Sequence, residues 1–200
     1  MEPNRIAVKY FVDGSSVDAS AIVPVFHRWI QEGRTADALL DVADYKHVHE
    51  GPHTLLVAHE ADYVIDLAEG RPGLLYVRKR WGLSGSLRDR VAATLRHALA
   101  AAKILADDPQ PHSPIAFRTD EVQISFYDRL AAPNTAASFK AIKPELEALL
   151  AELYEGADLT LEHVSDEDSR NPLTIKVLAS QAPSLDTLVE RTEAASTTAG

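Results

Sequence analysis

The chain has 200 residues, 46% of them apolar and 25% charged, with one methionine, no cysteine and a formal net charge of −10. That length suits one domain, or one domain with a small appendage, and the composition excludes wholesale disorder. Without cysteine there are no disulfides, thiolate zinc sites, iron–sulfur clusters or cysteine nucleophiles, so any metal must rest on histidine and carboxylates.

Ile6, Val8, Tyr10 and Val12 alternate as one face of a strand that stops at Asp13-Gly14, a turn signal. A helix follows, with Ser20 as its expected cap, a stripe of Ile22, Val25, Phe26, Trp29 and Ile30, and Gly33 as its stop. Pro24 fits such a helix only within the first turn. Short runs at 38–42, 54–58, 63–67 and 74–78, divided by Gly51-Pro52 and by Gly70-Arg71-Pro72-Gly73, read as an antiparallel meander.

Ser84-Gly85-Ser86 opens the longest helix, in which Leu87, Val91, Leu95, Leu99, Ala102 and Leu105 recur at helical spacing through Ala106. Residues 115–117 and 122–126 flank Thr119-Asp120-Glu121 and read as a hairpin. After Pro133-Asn134-Thr135 comes a helix that Pro144 is expected to kink or divide, its second piece ending at Gly156. Residues 159–163 and 173–178 read as a last strand pair. Leu185, Leu188 and Val189 suit one or two amphipathic turns before a flexible tail over 194–200.

These elements predict an α+β fold, mostly antiparallel sheet with about three helices, in which helices separate groups of strands. Residues 1–178 read as a single α+β domain, with a subdivision near 83–110 at the long helix, and 179–200 as a short amphipathic segment and tail.

The charge is divided along the chain. Between Arg71 and Lys103 eight basic residues face one acid, so that segment carries +7 and the remainder −17. A strongly acidic surface repels phosphate backbones, which disfavours nucleic acid as a partner. No apolar run approaches the roughly 20 residues of a membrane span, and Met1-Glu2-Pro3-Asn4-Arg5 lacks the apolar core of a secretory signal, so the expectation is a cytoplasmic protein that engages no membrane.

Two constellations carry chemistry. His47, His49, His53 and His59 fall among Asp41, Asp44, Glu50, Glu60, Asp62 and Asp66, enough imidazole and carboxylate for a divalent metal, zinc or iron. His47 and His49 share one face of an extended segment, Gly51-Pro52 turns the chain before His53, and Glu60 or Asp44 would serve as catalytic carboxylates. His59-Glu60-Ala61-Asp62-Tyr63 has tyrosine where the zincin helix needs its second histidine. Histidines in a polar loop are more often surface groups or hydrogen-bonding partners, and the prediction is accordingly of no cofactor, with the divalent metal as the alternative.

The second constellation is Arg78, Arg80, Ser84, Gly85, Ser86 and Arg88, where backbone N–H groups, hydroxyls and guanidinium groups around a helix start would hold a small anionic ligand. The plainer reading is a helix cap with cations that pair with acidic residues of this chain or of a second subunit. Gly82-Leu83-Ser84-Gly85 is one residue short of a nucleophile elbow, and His97 and His112 have no neighbour in sequence that suggests catalysis.

The stretches 23–31, 41–48, 57–63 and 132–135 resemble a family of small soluble bacterial proteins. The resemblance spans most of residues 5–178 and implies a bacterial cytosolic protein, with no activity, cofactor or catalytic residue attached. The functional expectation is therefore a non-catalytic binding or accessory protein, self-associating as a homo-oligomer or joined to a protein partner through its acidic body and the basic segment 71–103. The alternative is a small metal-dependent hydrolase or oxygen-activating enzyme built on His47 to Glu60.

Overall fold

The N-terminal alternation forms β1 (Ile6–Val12), and the helix after it, α1 (Ala19–Glu32), is closed by Gly33 at φ 60°. The computed structural model describes residues 3–14, 17–45, 54–79, 85–109, 114–164, 168 and 170–197. Asp18, not Ser20, caps α1, its carboxylate accepting from the Ser20 N–H at 2.9 Å. Pro24 lies beyond the first turn and leaves the Ser20 carbonyl without its helical donor. Ile22, Val25, Phe26 and Trp29, all fully buried, keep the helix in place regardless.

The meander is present as β2 (Leu39–Asp44), β3 (Thr54–Ala58), β4 (Ala61–Asp66) and β5 (Gly73–Arg78), with a single 3-10 turn at Ala68–Gly70 before β5. The long helix α2 (Leu87–Ala106) starts at a capping box: Ser86 accepts from the Asp89 N–H, and Asp89 accepts from the Ser86 N–H.

Residues 117–126 do not form the expected hairpin. They are one ten-residue strand, β6 (Phe117–Phe126), paired with β1 on one side and with β8 (Leu173–Ala179) on the other. Thr119-Asp120-Glu121 contains no glycine to favour a tight two-residue turn, and Glu121 is buried under cations instead of turning into solvent. A register shift between Tyr10 and Val12 takes up the irregularity.

Helix α3 (Ala136–Leu153) runs as one element through Pro144, undivided, capped by Thr135 at the Ser138 N–H. β7 (Leu159–Val164) completes the sheet. The C-terminal segment is more than a turn or two: α4 (Leu185–Thr197) has 13 residues, packs against α2, and buries Leu188 completely.

All eight strands belong to one antiparallel sheet in the order β2-β3-β4-β5-β1-β6-β8-β7, and the fold is α+β with four helices among the described residues. The helices share one face. Trp29 of α1 meets Tyr63 edge-on, His97 of α2 stacks on Tyr76, and Phe139 of α3 stacks on His163. Cross-strand neighbours Leu56, Tyr63, Tyr76, Val8, Ile124 and Ile175 form the central row of the core beneath them. No described helix is long and apolar enough to cross a membrane.

Candidate functional site

Among the described residues, the densest polar constellation lies under α2, around a carboxylate that no sequence motif marks. Asp37 sits in the short link between α1 and β2 and is 7% exposed. Tyr63 on β4 donates to its Oδ2 at 2.6 Å, and Tyr76 on β5 donates to the same oxygen at 2.9 Å. Arg78 on β5 donates through Nη1 to Oδ1 at 3.1 Å and through Nη2 to Glu60 at 2.7 Å. His97 Nδ1 on α2 stands 3.5 Å from Oδ2. Adjacent register brings the tyrosines together, since Tyr63 pairs directly with Tyr76, and Arg78 follows two residues on, on the same face of β5.

Burial by itself pushes the Asp37 carboxyl up. Hydrogen bonds from His97, Tyr63 and Tyr76, with the His97 charge, outweigh that and hold it down at about 2. The Tyr63 and Tyr76 hydroxyls move the other way, raised by burial and then by the Asp37 charge. A general base works best with a pKa near the operating pH. Asp37 is far below that, and both of its oxygens already accept hydrogen bonds. The arrangement fastens the α1–β2 link to the sheet and to α2, and it orients His97. One donor in it is unspent: Arg78 Nε is buried without a hydrogen-bond acceptor among the described residues.

The predicted residues distribute as follows. His47, His49 and His53 lie outside the described residues, as do Arg80 and Ser84. His59 is exposed just past the end of β3, where its N–H donates to the Ala38 carbonyl, whereas Asp44 pairs with Thr54 at the other end of the β2–β3 pair. Five residues of strand, about 16 Å, separate Thr54 from His59. Asp44 and His59 therefore do not meet, and among the described residues no three histidines or carboxylates are grouped to hold a metal.

Of the other anion-site candidates, Arg78 is turned inward onto Asp37 and Glu60, and Arg88 pairs with Glu152 on α3 at 2.5 Å. Ser86 and Asp89 form the cap, and Gly85, at φ 95°, sits where a Cβ would come within 2.7 Å of the Asp89 carboxylate. Elsewhere in the basic segment Arg71 pairs with Glu121, Lys79 with Asp62, and Lys103 with Asp107 and Asp186.

Sequence reasoning missed Asp37, Tyr63, Tyr76 and His97 because they are linked over separations of 26 to 60 residues, with no local spacing to betray them. One signal was available. In the helix-face row two consecutive strands place a tyrosine where an aliphatic residue would pack, and a fully buried phenol needs a partner.

The sheet face away from the helices carries a different kind of surface. In one cross-strand row Leu55, Val64 and Leu75 are neighbours, and in the next Val57, Asp62, Val77 and Ala7. Leu55, Val57 and Leu75 are half-buried there, Val64, Val77 and Ala7 are buried, and no described helix lies over them. Lys9 crosses the side-chain-free Gly73 to reach Asp66 at 2.7 Å, so salt bridges flank the aliphatic rows.

Compared with known proteins, the chain matches no family model, no curated protein and no solved structure.

Proposed function

We propose that this protein is a non-catalytic binding protein that self-associates through the helix-free face of its sheet. One observation carries this reading: β3 and β5 place aliphatic side chains on both faces, a pattern that belongs to strands covered on both sides, and β4 between them adds Val64, flanked by Asp62 and Asp66. An antiparallel sheet with one wet face would alternate apolar with polar.

The edges of the sheet suit association less well. β2 at one edge carries Asp41 and Asp44 and β7 at the other carries Glu162, so strand-to-strand joining sets like charges together. The basic segment is a weaker contact than its charge suggests, because Arg71, Arg78, Lys79, Arg88 and Lys103 are engaged by carboxylates of the same chain. Face-to-face stacking with two-fold symmetry lays the Leu55 and Val57 rows of one copy on those of the other. The Asp37 cluster supports the non-catalytic part of the reading, as its acid is too weakly basic and too fully engaged to move protons near neutrality.

Sedimentation equilibrium of the full chain tests this. Wild type is expected to be a reversible dimer, and Val57→Lys or Leu75→Asp a monomer with unchanged circular dichroism and a melting temperature that no longer rises with protein concentration. A wild type that stays monomeric at high concentration, or folded variants that dimerise as well as wild type, would overturn it.

A further inference from the structure

A second feature lies among the helices and is independent of self-association. Helix α4 packs against α2 and, less extensively, against α3. Its apolar stripe is narrow: Leu188 is fully buried, Leu185 and Val189 are half-buried, and their spacing puts all three on one side of the helix. The chain leading into it is fastened as far as Gln181, with Ser180 N–H donating to the Asp158 carbonyl at 2.9 Å and the Gln181 side chain donating to the Gly156 carbonyl at 3.1 Å. Ala182 and Pro183 make no hydrogen bond among the described residues, and α4 then starts afresh at Ser184, whose hydroxyl accepts from the Thr187 N–H at 3.1 Å.

Two polar contacts flank the stripe. Lys103 of α2 reaches Asp186 at 3.0 Å, and Arg191 donates through Nη1 to the carbonyl of Leu153, the last residue of α3, at 2.9 Å, with Nη2 3.7 Å from Glu155. Asp186 and Glu155 are exposed, and Lys103 keeps Asp107 at 2.7 Å when Asp186 is withdrawn. Undocking α4 therefore strands no buried charge, in contrast to the Asp37 cluster, and what it releases is a short helix that is marginal by itself.

The groove so uncovered has a definite polarity. It is apolar where Leu188 sits, cationic at Lys103, and negative at the C-terminal end of α3, where the helix dipole, the Leu153 carbonyl and Glu155 add together. Such a groove takes an amphipathic helix with apolar residues at i, i+3 and i+4, an acid in its first turn and a guanidinium at i+6. We infer that the α2–α3 groove is a docking site for a helix of this pattern on a protein partner, and that α4 occupies it in the free chain as an internal competitor.

The test uses the full chain, isotope-labelled and followed by amide resonances, with a synthetic peptide of residues 181–197 as the probe. Leu188→Asp in the chain is expected to release α4 and leave the resonances of the sheet native. This variant should bind the peptide with saturable shifts around Lys103 and Leu153, at least about ten-fold more tightly than wild type does, because a tethered competitor acts at an effective concentration on the order of millimolar. A peptide carrying Leu188→Asp should not bind, and one carrying Asp186→Lys with Arg191→Glu should bind about ten-fold more weakly than the native peptide. In wild type, hydrogen exchange should show α4 opening more readily than α2. The inference is overturned by α4 amides that exchange in step with those of α2, by a Leu188→Asp chain that unfolds throughout or binds the peptide no more tightly than wild type, or by a charge-reversed peptide that binds as tightly as the native one.

Discussion

Asp37 is the residue on which most long-range polar contacts of the helix face converge, and its ionisation is linked to stability. Its folded pKa of about 2 lies below the ordinary value near 4, so the charged form is favoured by folding. That contribution, about 2 kcal/mol, is fully present above pH 4 and is lost as pH falls toward 2. Replacing Asp37 by Asn leaves Arg78 with Glu60 as its one carboxylate and the Tyr76 hydroxyl as acceptor, and should cost about 3 kcal/mol at pH 7 in urea denaturation, with the gap to wild type narrowing between pH 4 and pH 2. A gap constant across that range would assign the loss to packing instead of charge. His97, which has no partner in its own stretch of sequence, gains one here only because α2 crosses β5 above Tyr76.

The elements differ in how far local sequence governs them. Amphipathic spacing and capping residues define α2, and Ser86 and Gly33 stand at helix ends as local chemistry requires. β6 is governed from outside over Val122–Phe126, where β1 and β8 both pair with it, whereas Thr119 and Asp120 lie in the register shift opposite β1 and before the β8 ladder begins at Glu121. Pro24 and Pro144 likewise sit inside helices whose buried stripes outweigh one missing hydrogen bond each. Gly73 is the sharpest case, since a Cβ there would lie 2.5 Å from the Tyr10 carbonyl oxygen and 2.8 Å from Lys9 Cε. Gly73→Ala is therefore expected to destabilise the β1–β5 pair by about 1–3 kcal/mol, and hydrogen exchange should show faster opening at Lys9 and Leu75 than at Leu161. Uniform exchange in the variant would refute a local clash.

For the whole molecule, the balance is between a helix-free aliphatic face and a net charge of −10. Two copies repel through their net charge, while burial of aliphatic surface is insensitive to screening. Raising the salt concentration is thus expected to strengthen self-association, read as a rise in weight-average mass by light scattering. Dissociation at high salt would show instead that ion pairs hold the copies together.

Composition and periodicity by themselves determined that this is an α+β chain of mostly antiparallel strands, because alternation, helical spacing and turn residues are local and each strand or helix declares its own period. They also identified Glu60 and Arg78 as residues of interest, although not their partnership. Only the tertiary structure decided which residues meet. Asp37 finds Tyr63, Tyr76, Arg78 and His97, and Arg71 and Arg118 close on Glu121, because the strand order β5-β1-β6 and the crossing of α2 bring distant segments together. Spacing along a chain carries no information about such contacts: a carboxylate and its donors need only share a place in space, and register across the sheet supplies it.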